Sequence, residues 1–112
     1  MVDFNAPYSL LIDGLLVDAV ARLDVINPAS GSVFAHCPAA GGVELDRAVA
    51  AARRAFPAWR ALGFAGRAAC VARFAALLEA NVEPLARLLT QEQGKPVGQS
   101  RDEIARAASL SV

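Results

Sequence analysis

Apolar residues come in short alternating runs up to about residue 40 and recur at helical spacing beyond it. Leu10-Leu11-Ile12 and Leu15-Leu16-Val17 flank Asp13-Gly14, a dipeptide suited to a two-residue hairpin turn with positive φ. Leu23–Ile26 and Val33–Cys37 flank Asn27-Pro28-Ala29-Ser30-Gly31, a cluster of turn formers, and predict a second hairpin. Strand alternation puts Val33, Ala35 and Cys37 on one face and Phe34 and His36 on the other. Pro38 and Gly41-Gly42 then close the β region.

From Val43 the period changes. Leu45, Val49, Ala52, Phe56 and Trp59 form one apolar stripe of a helix, with Asp46, Arg47, Arg53, Arg54 and Arg60 on the other side. Pro57 is expected to end or kink this helix near Phe56, and Gly63 and Gly66 to bracket a short linker. Trp59 is expected to plug the junction with the next helix. A second stripe, Val71, Phe74, Leu78, Val82, Leu85 and Leu89, divides at Asn81, which can N-cap a helix carrying Pro84 in its first turn. The reading is two helices, Arg67–Ala80 and Val82–Gln93, the latter ended by Gly94 at C′ with Lys95 and Pro96 following. Ser100-Arg101-Asp102-Glu103 has capping-box spacing and starts a last helix with Ser100 as N-cap. Ile104, Ala107 and Ala108 begin its apolar face, and the helix reads as cut short at Leu110-Ser111-Val112. The fold class is α+β: hairpins over residues 1–42, then an amphipathic helix bundle over 43–112.

Composition narrows the function classes. Hydrophobic residues make up 55% of the 112, and the charges, 11 Lys+Arg against 11 Asp+Glu, cancel. Mean hydropathy is +0.38. Disorder is excluded on hydrophobicity, and a nucleic-acid partner or anionic membrane on the missing basic surplus. No run reaches the roughly 20 apolar residues of a membrane span. Asp3 and Asn5 stand where a signal peptide would carry basic residues. Two separated cysteines, Cys37 and Cys70, suggest free thiols in a reducing cytoplasm.

Candidate chemistry is sparse. His36 is the single histidine, and as a strand neighbour of Cys37 it points to the opposite face. Cys70 has Arg67 and Arg73 at helical distances, which could lower its pKa, but no base accompanies it. Gly41-Gly42 precedes a helix N-terminus, an arrangement that can receive an anion; a plain loop is the better reading. Glu79, Glu83, Glu92, Asp102 and Glu103 are spread over separate helix ends, where capping accounts for several. From the residues alone, no catalytic, cofactor-binding or metal site is assigned.

Three segments in order change that reading: Val25-Ile26-Asn27-Pro28-Ala29-Ser30-Gly31; Ala48–Ala52 leading to Ala55-Phe56-Pro57-Ala58-Trp59; and Glu92-Gln93-Gly94-Lys95-Pro96. With Leu11-Ile12-Asp13-Gly14 before them and Ser100–Glu103 after, they resemble the N-terminal region of the NAD(P)-dependent aldehyde dehydrogenase superfamily. The resemblance implies an incomplete piece of that family's α/β fold, leading into a dinucleotide-binding domain that this sequence does not reach. It implies a family reaction in which a cysteine thiolate attacks an aldehyde, hydride passes to NAD or NADP, and the thioester is hydrolysed or passed to coenzyme A. The nucleophilic cysteine, general-base glutamate and nucleotide loop fall beyond the match, and neither Cys37 nor Cys70 fits the nucleophile's motif. Complete members are homo-oligomers, and some hold a monovalent cation near the positions matching Ile26 and Glu92. The expectation is an N-terminal fragment, inactive by itself, able to associate through exposed apolar helix faces. The alternatives are a standalone helical interaction module and a remnant that binds intact subunits. The Gly63-Phe64-Ala65-Gly66 linker departs from the family's polar approach to Arg67.

Overall fold

A computed structural model describes residues 7–110. Four strands precede four helices: β1 Leu10–Ile12, β2 Leu15–Val17, β3 Ala21–Asn27, β4 Ser32–Ala39, α1 Gly42–Ala61, α2 Gly63–Ala80, α3 Val82–Gln93 and α4 Val97–Ser109. The readings made from Asp3, Asn5, Ser111 and Val112 lie outside the described residues.

Both hairpins form where the turn residues predicted them. Asp13 (φ 59°) and Gly14 (φ 74°) are both left-handed, as a two-residue turn between right-twisted strands requires. β1 and β2 pair antiparallel, Leu10 opposite Val17. In the second turn the Asn27 side chain accepts the Ala29 N–H at 2.9 Å, and its carbonyl accepts the Gly31 N–H at 2.8 Å. β3 and β4 then pair from Asn27↔Ser32 to Ala21↔Ala39. Here the structure departs from simple alternation. The register slips between Val25 and Ile26, leaving Phe34 as an extra residue on β4. As a result Val33 is exposed while Phe34 is half-buried, and only Ala35, His36 and Cys37 keep the expected sidedness. Pro38 does not end the strand: it pairs opposite Arg22 on a two-stranded sheet, where an edge tolerates the missing N–H.

The helices correct the sequence reading more often. α1 runs through Pro57 to Ala61. Arg53 and Pro57 are both exposed, so the one backbone bond that proline removes is lost in a solvated part of the helix. No linker follows. A single residue, Leu62, separates α1 from α2, and the chain direction turns by 117° there. Gly63 at φ 66° makes that elbow, so α2 starts four residues before Arg67. α3 has the predicted bounds and ends at Gly94 (φ 73°), whose N–H reaches the Thr90 carbonyl at 2.9 Å. Asn81 is the N-cap residue of α3, its carbonyl accepting the Leu85 N–H at 3.1 Å, but its side chain makes no capping bond there and donates its amide to the Leu77 carbonyl at 2.8 Å, closing α2. Ser100 is not an N-cap. α4 begins three residues earlier after Pro96, whose carbonyl receives the Ser100 N–H at 3.0 Å.

Packing is uneven. Among the described residues the buried set is Ile12, Ala51, Ala75, Ala86, Ala108 and Ser100. The stripe read as a packing face on α1 is exposed, with Phe56 at 58% and Trp59 at 41%. Trp59 therefore does not plug the junction, because a 117° turn carries α2 away from it. The radius of gyration is 16.5 Å, against about 13 Å for a compact domain of this length.

Candidate functional site

The first shaped concavity lies between the first hairpin and the start of α1. Leu10, Leu11 and Ile12 form one wall and Ala40–Gly42, Glu44, Leu45 and Ala48 the other, around about 470 Å³. A neighbouring cleft of about 410 Å³ continues along α1 between Asp13-Gly14 and the Ala48, Ala51, Ala52 and Ala55 side. Small side chains on this side let the hairpin approach the helix, and Arg54 fastens its tip through Asp13 at 2.8 Å. Both clefts are lined mainly by carbon. They contain no nucleophile and no paired acid and base, so they can bind an apolar group but do no chemistry on it.

The Gly41-Gly42 helix start is already satisfied. The Glu44 carboxylate accepts the Gly41 N–H at 2.8 Å, a capping contact that supplies the negative charge this helix end attracts. An external anion would meet that carboxylate. The sequence held the signal, a Glu at the third helical position, but the Ser100–Glu103 spacing drew the capping-box assignment instead.

The remaining candidates do not converge. His36 Nδ1 sits 2.8 Å from Asp24 Oδ1 across the β3–β4 ladder, with both side chains exposed. Cys37 and Cys70 are free and half-buried. Cys70 Sγ accepts a hydrogen bond from Arg73 Nη2 at 3.2 Å. Glu83 pairs with Arg101 through two guanidinium hydrogen bonds, one of them 3.1 Å. That hydrogen bonding holds the Glu83 carboxyl below its usual range and raises Arg101. Glu103 pairs with Lys95. Glu79, Glu92 and Asp102 are exposed on three different helices.

One junction does gather residues from the segments that carry the resemblance. Gly94, just past α3, lies against the Asn27–Gly31 turn so closely that a Cβ there would stand 2.9 Å from Pro28 Cγ. The Asn-Pro turn and the Gly-Lys-Pro segment are thus two sides of one contact, which sequence spacing could not reveal. It is a backbone fit. Ile26 on β3 and Glu92 on α3 lie next to its two sides in sequence, and one backbone carbonyl with one carboxylate is only part of the oxygen shell of the monovalent cation expected there. No group of three or more His, Cys, Asp or Glu residues suited to a metal occurs among the described residues.

The comparisons identify what this arrangement belongs to. The aldehyde dehydrogenase family model matches residues 17–111. Glutarate-semialdehyde dehydrogenase of Pseudomonas aeruginosa is 45% identical over 101 residues, 88% of this chain and 21% of its own length. The NADP(+) succinate-semialdehyde dehydrogenase of Escherichia coli is 43% identical over 102 residues, 89% of this chain and 21% of its own. An NAD-dependent aldehyde dehydrogenase from Sinorhizobium meliloti superposes with a TM-score of 0.89 at 37% identity, covering 95% of this chain and 22% of that one. The chain spans about a fifth of the length of the relatives it matches. Two small hairpins, a bent helix pair and a packed α3–α4 pair correspond to the N-terminal part of that fold, and the chain belongs to the aldehyde dehydrogenase family.

Proposed function

We propose that this chain is the N-terminal segment of an NAD(P)-dependent aldehyde dehydrogenase of the cytoplasm, and that the 112 residues alone catalyse nothing. The observation that carries the reading is the combination of near-complete coverage of this chain with about one fifth coverage of its relatives. The complete subunit would oxidise an aldehyde to a carboxylate and work as a homo-oligomer, with the nicotinamide accepting hydride. What this segment contributes is scaffold. The first hairpin rests on α1, and the Asn27–Gly31 turn is clamped against the end of α3. The printed contacts of the thiols fit this reading: His36, the neighbour of Cys37, is paired with Asp24, and Cys70 accepts a hydrogen bond from Arg73, which donates and cannot take a proton.

The test is turnover by the purified chain with glutarate semialdehyde or succinate semialdehyde and either nicotinamide cofactor. No reduced cofactor should accumulate. Cofactor reduction that disappears in Cys70→Ala would overturn the assignment and make Cys70 a nucleophile.

A further inference from the structure

A third cleft, of about 370 Å³, opens between α3 and α4, and its walls differ in charge from those of the other two. Glu44 lines the first cleft and Asp13 the second, whereas Arg87, Thr90, Gln91, Val97 and Arg101 line this one, with no carboxylate among them. Arg87 and Gln91 stand about one turn apart on α3, and Val97 and Arg101 about one turn apart on α4, so each pair shares a helix face. A tight seam holds the two faces together. Ala86, Ser100 and Ala108 are each 0% exposed, and the Thr90 and Ser100 hydroxyls lie 3.0 Å apart. Side chains carried on a fixed frame of this kind lose less freedom when they close on a ligand.

The lining is rich in donors and poor in acceptors. A guanidinium carries about five N–H groups and an amide about two, while the side-chain acceptors are the Gln91 carbonyl and the Thr90 hydroxyl. Such a surface suits a ligand made of acceptors. Arg101 already grips one: its Nε and Nη2 both donate to the Glu83 carboxylate, which leaves its remaining N–H groups for a second anion. Arg87 makes no ion pair among the described residues. Glu83 offsets one of the two positive charges, but it is exposed and solvated, so it can yield the Arg101 fork at little cost. Asp102, next to Arg101 in sequence, does not line the cleft. We propose that the α3–α4 cleft binds a small oxyanion, a phosphate or a carboxylate, between Arg87 and Arg101, with Gln91 donating from the α3 side. Glu83 is then the resident competitor for Arg101. The site is made only of this chain's own residues and does not depend on the activity proposed above.

The experiment titrates the isotope-labelled 112-residue chain with sodium phosphate and, separately, with sodium malonate, each against sodium chloride of equal ionic strength. Amide chemical shifts in α3 and α4 should move and saturate with at least one of the two, and the anion that saturates first identifies which oxyanion the cleft takes. Arg87→Gln should weaken binding about tenfold. Arg53→Gln, which removes an exposed arginine of α1, should leave it unchanged. Glu83→Gln frees the Arg101 fork and should tighten binding about threefold or more, whereas a Glu83–Arg101 pair that serves only as a strut predicts weaker binding when it is lost. Far-UV circular dichroism of each variant separates loss of the ligand from loss of the helices. Four results would overturn the proposal: shifts no larger than those with chloride, binding indifferent to Arg87→Gln, saturable shifts centred on Gly41-Gly42, or a free chain in which α3 and α4 do not form.

Discussion

The α1–α2 pair is far richer in alanine than the α3–α4 pair, fourteen against four with three leucines in each, yet its two helices splay apart while α3 and α4 pack. Between α3 and α4 the residues that disappear from solvent are small: Ala86, Ala108 and Ser100 are each 0% exposed. Small side chains let two helix backbones approach until the neighbouring leucines, Leu85, Leu88 and Leu89, are half-covered. Ser100 can be buried because its hydroxyl lies 3.0 Å from that of Thr90 on α3, so no polar atom is left unpaired. Between α1 and α2 there is little contact and most large residues are exposed, although α2 also meets α4, where Ala75 is buried and Leu78 half-covered. Helical periodicity identifies an apolar stripe in both pairs, but it does not say whether the surface that buries the stripe lies within the same 112 residues.

The comparison breaks hardest at Ser100. Ser100→Leu inserts a branched side chain where there is no free surface and removes the Thr90 partner. Overpacking of this kind costs about 1–3 kcal/mol, and the unpaired Thr90 hydroxyl adds to it. Far-UV circular dichroism under urea should show a clearly lower midpoint. An unchanged midpoint would mean that α3 and α4 are not packed as described.

A smaller loss is expected at Gly94, which anchors the packed pair to the second hairpin. Gly94→Ala meets two obstacles: a φ of 73° that disfavours a Cβ by about 1–2 kcal/mol, and a Pro28 ring 2.9 Å from where the Cβ would sit. Pairing it with Pro28→Ala should recover the steric part and leave the backbone part. A double variant no more stable than the single one would show that the contact contributes nothing.

What the sequence disclosed follows the same division. Turns and helix ends set by local chemistry were readable: Asp13-Gly14, Asn27–Gly31, the α3 bounds and the Gly94 stop all come from backbone preferences of the residues themselves. Features that need a partner distant in sequence were not. The Ser100 hydroxyl satisfies the capping pattern locally, but Thr90 is available across the helix pair and takes it. Pro57 marks a helix end by propensity, but an exposed helix absorbs one lost bond. The bulge at Phe34 depends on the register of two strands, which no single strand contains. For the site, the resemblance of the Asn-Pro and Gly-Lys-Pro segments pointed to the family, while their mutual contact required the fold.

Trp59 sharpens the comparison from the open side. A fully buried tryptophan truncated to alanine costs on the order of 3–5 kcal/mol. With 41% of it exposed and no helix packed over it, Trp59→Ala in the isolated chain should cost well under that, about 1 kcal/mol. Fluorescence of this single tryptophan checks its exposure directly. A strongly blue-shifted maximum in the isolated chain would show that α1 is covered within the chain or by a second copy, and would erase the contrast between the two pairs.

The smallest effect is electrostatic and belongs to the packed pair. The Arg101 guanidinium hydrogen-bonds the Glu83 carboxylate and holds its pKa below the usual value, with attraction from Arg101 and Arg87 acting in the same direction. A carboxylate whose pKa is lower folded than unfolded stabilises the fold above its unfolded value. That contribution fades as pH falls through the folded value, because the proton then binds both states. The α3–α4 pair should therefore lose a little stability on acidification below the ordinary glutamate range, and Glu83→Gln should flatten that part of the profile. Both side chains reach water, so the pair is screened and its share is slight. Thermal midpoints measured from pH 7 down to pH 3, at low and at high salt, provide the check. A pH dependence that survives Glu83→Gln unchanged would assign the acid sensitivity to other carboxylates, with Glu103 beside Lys95 the next to substitute.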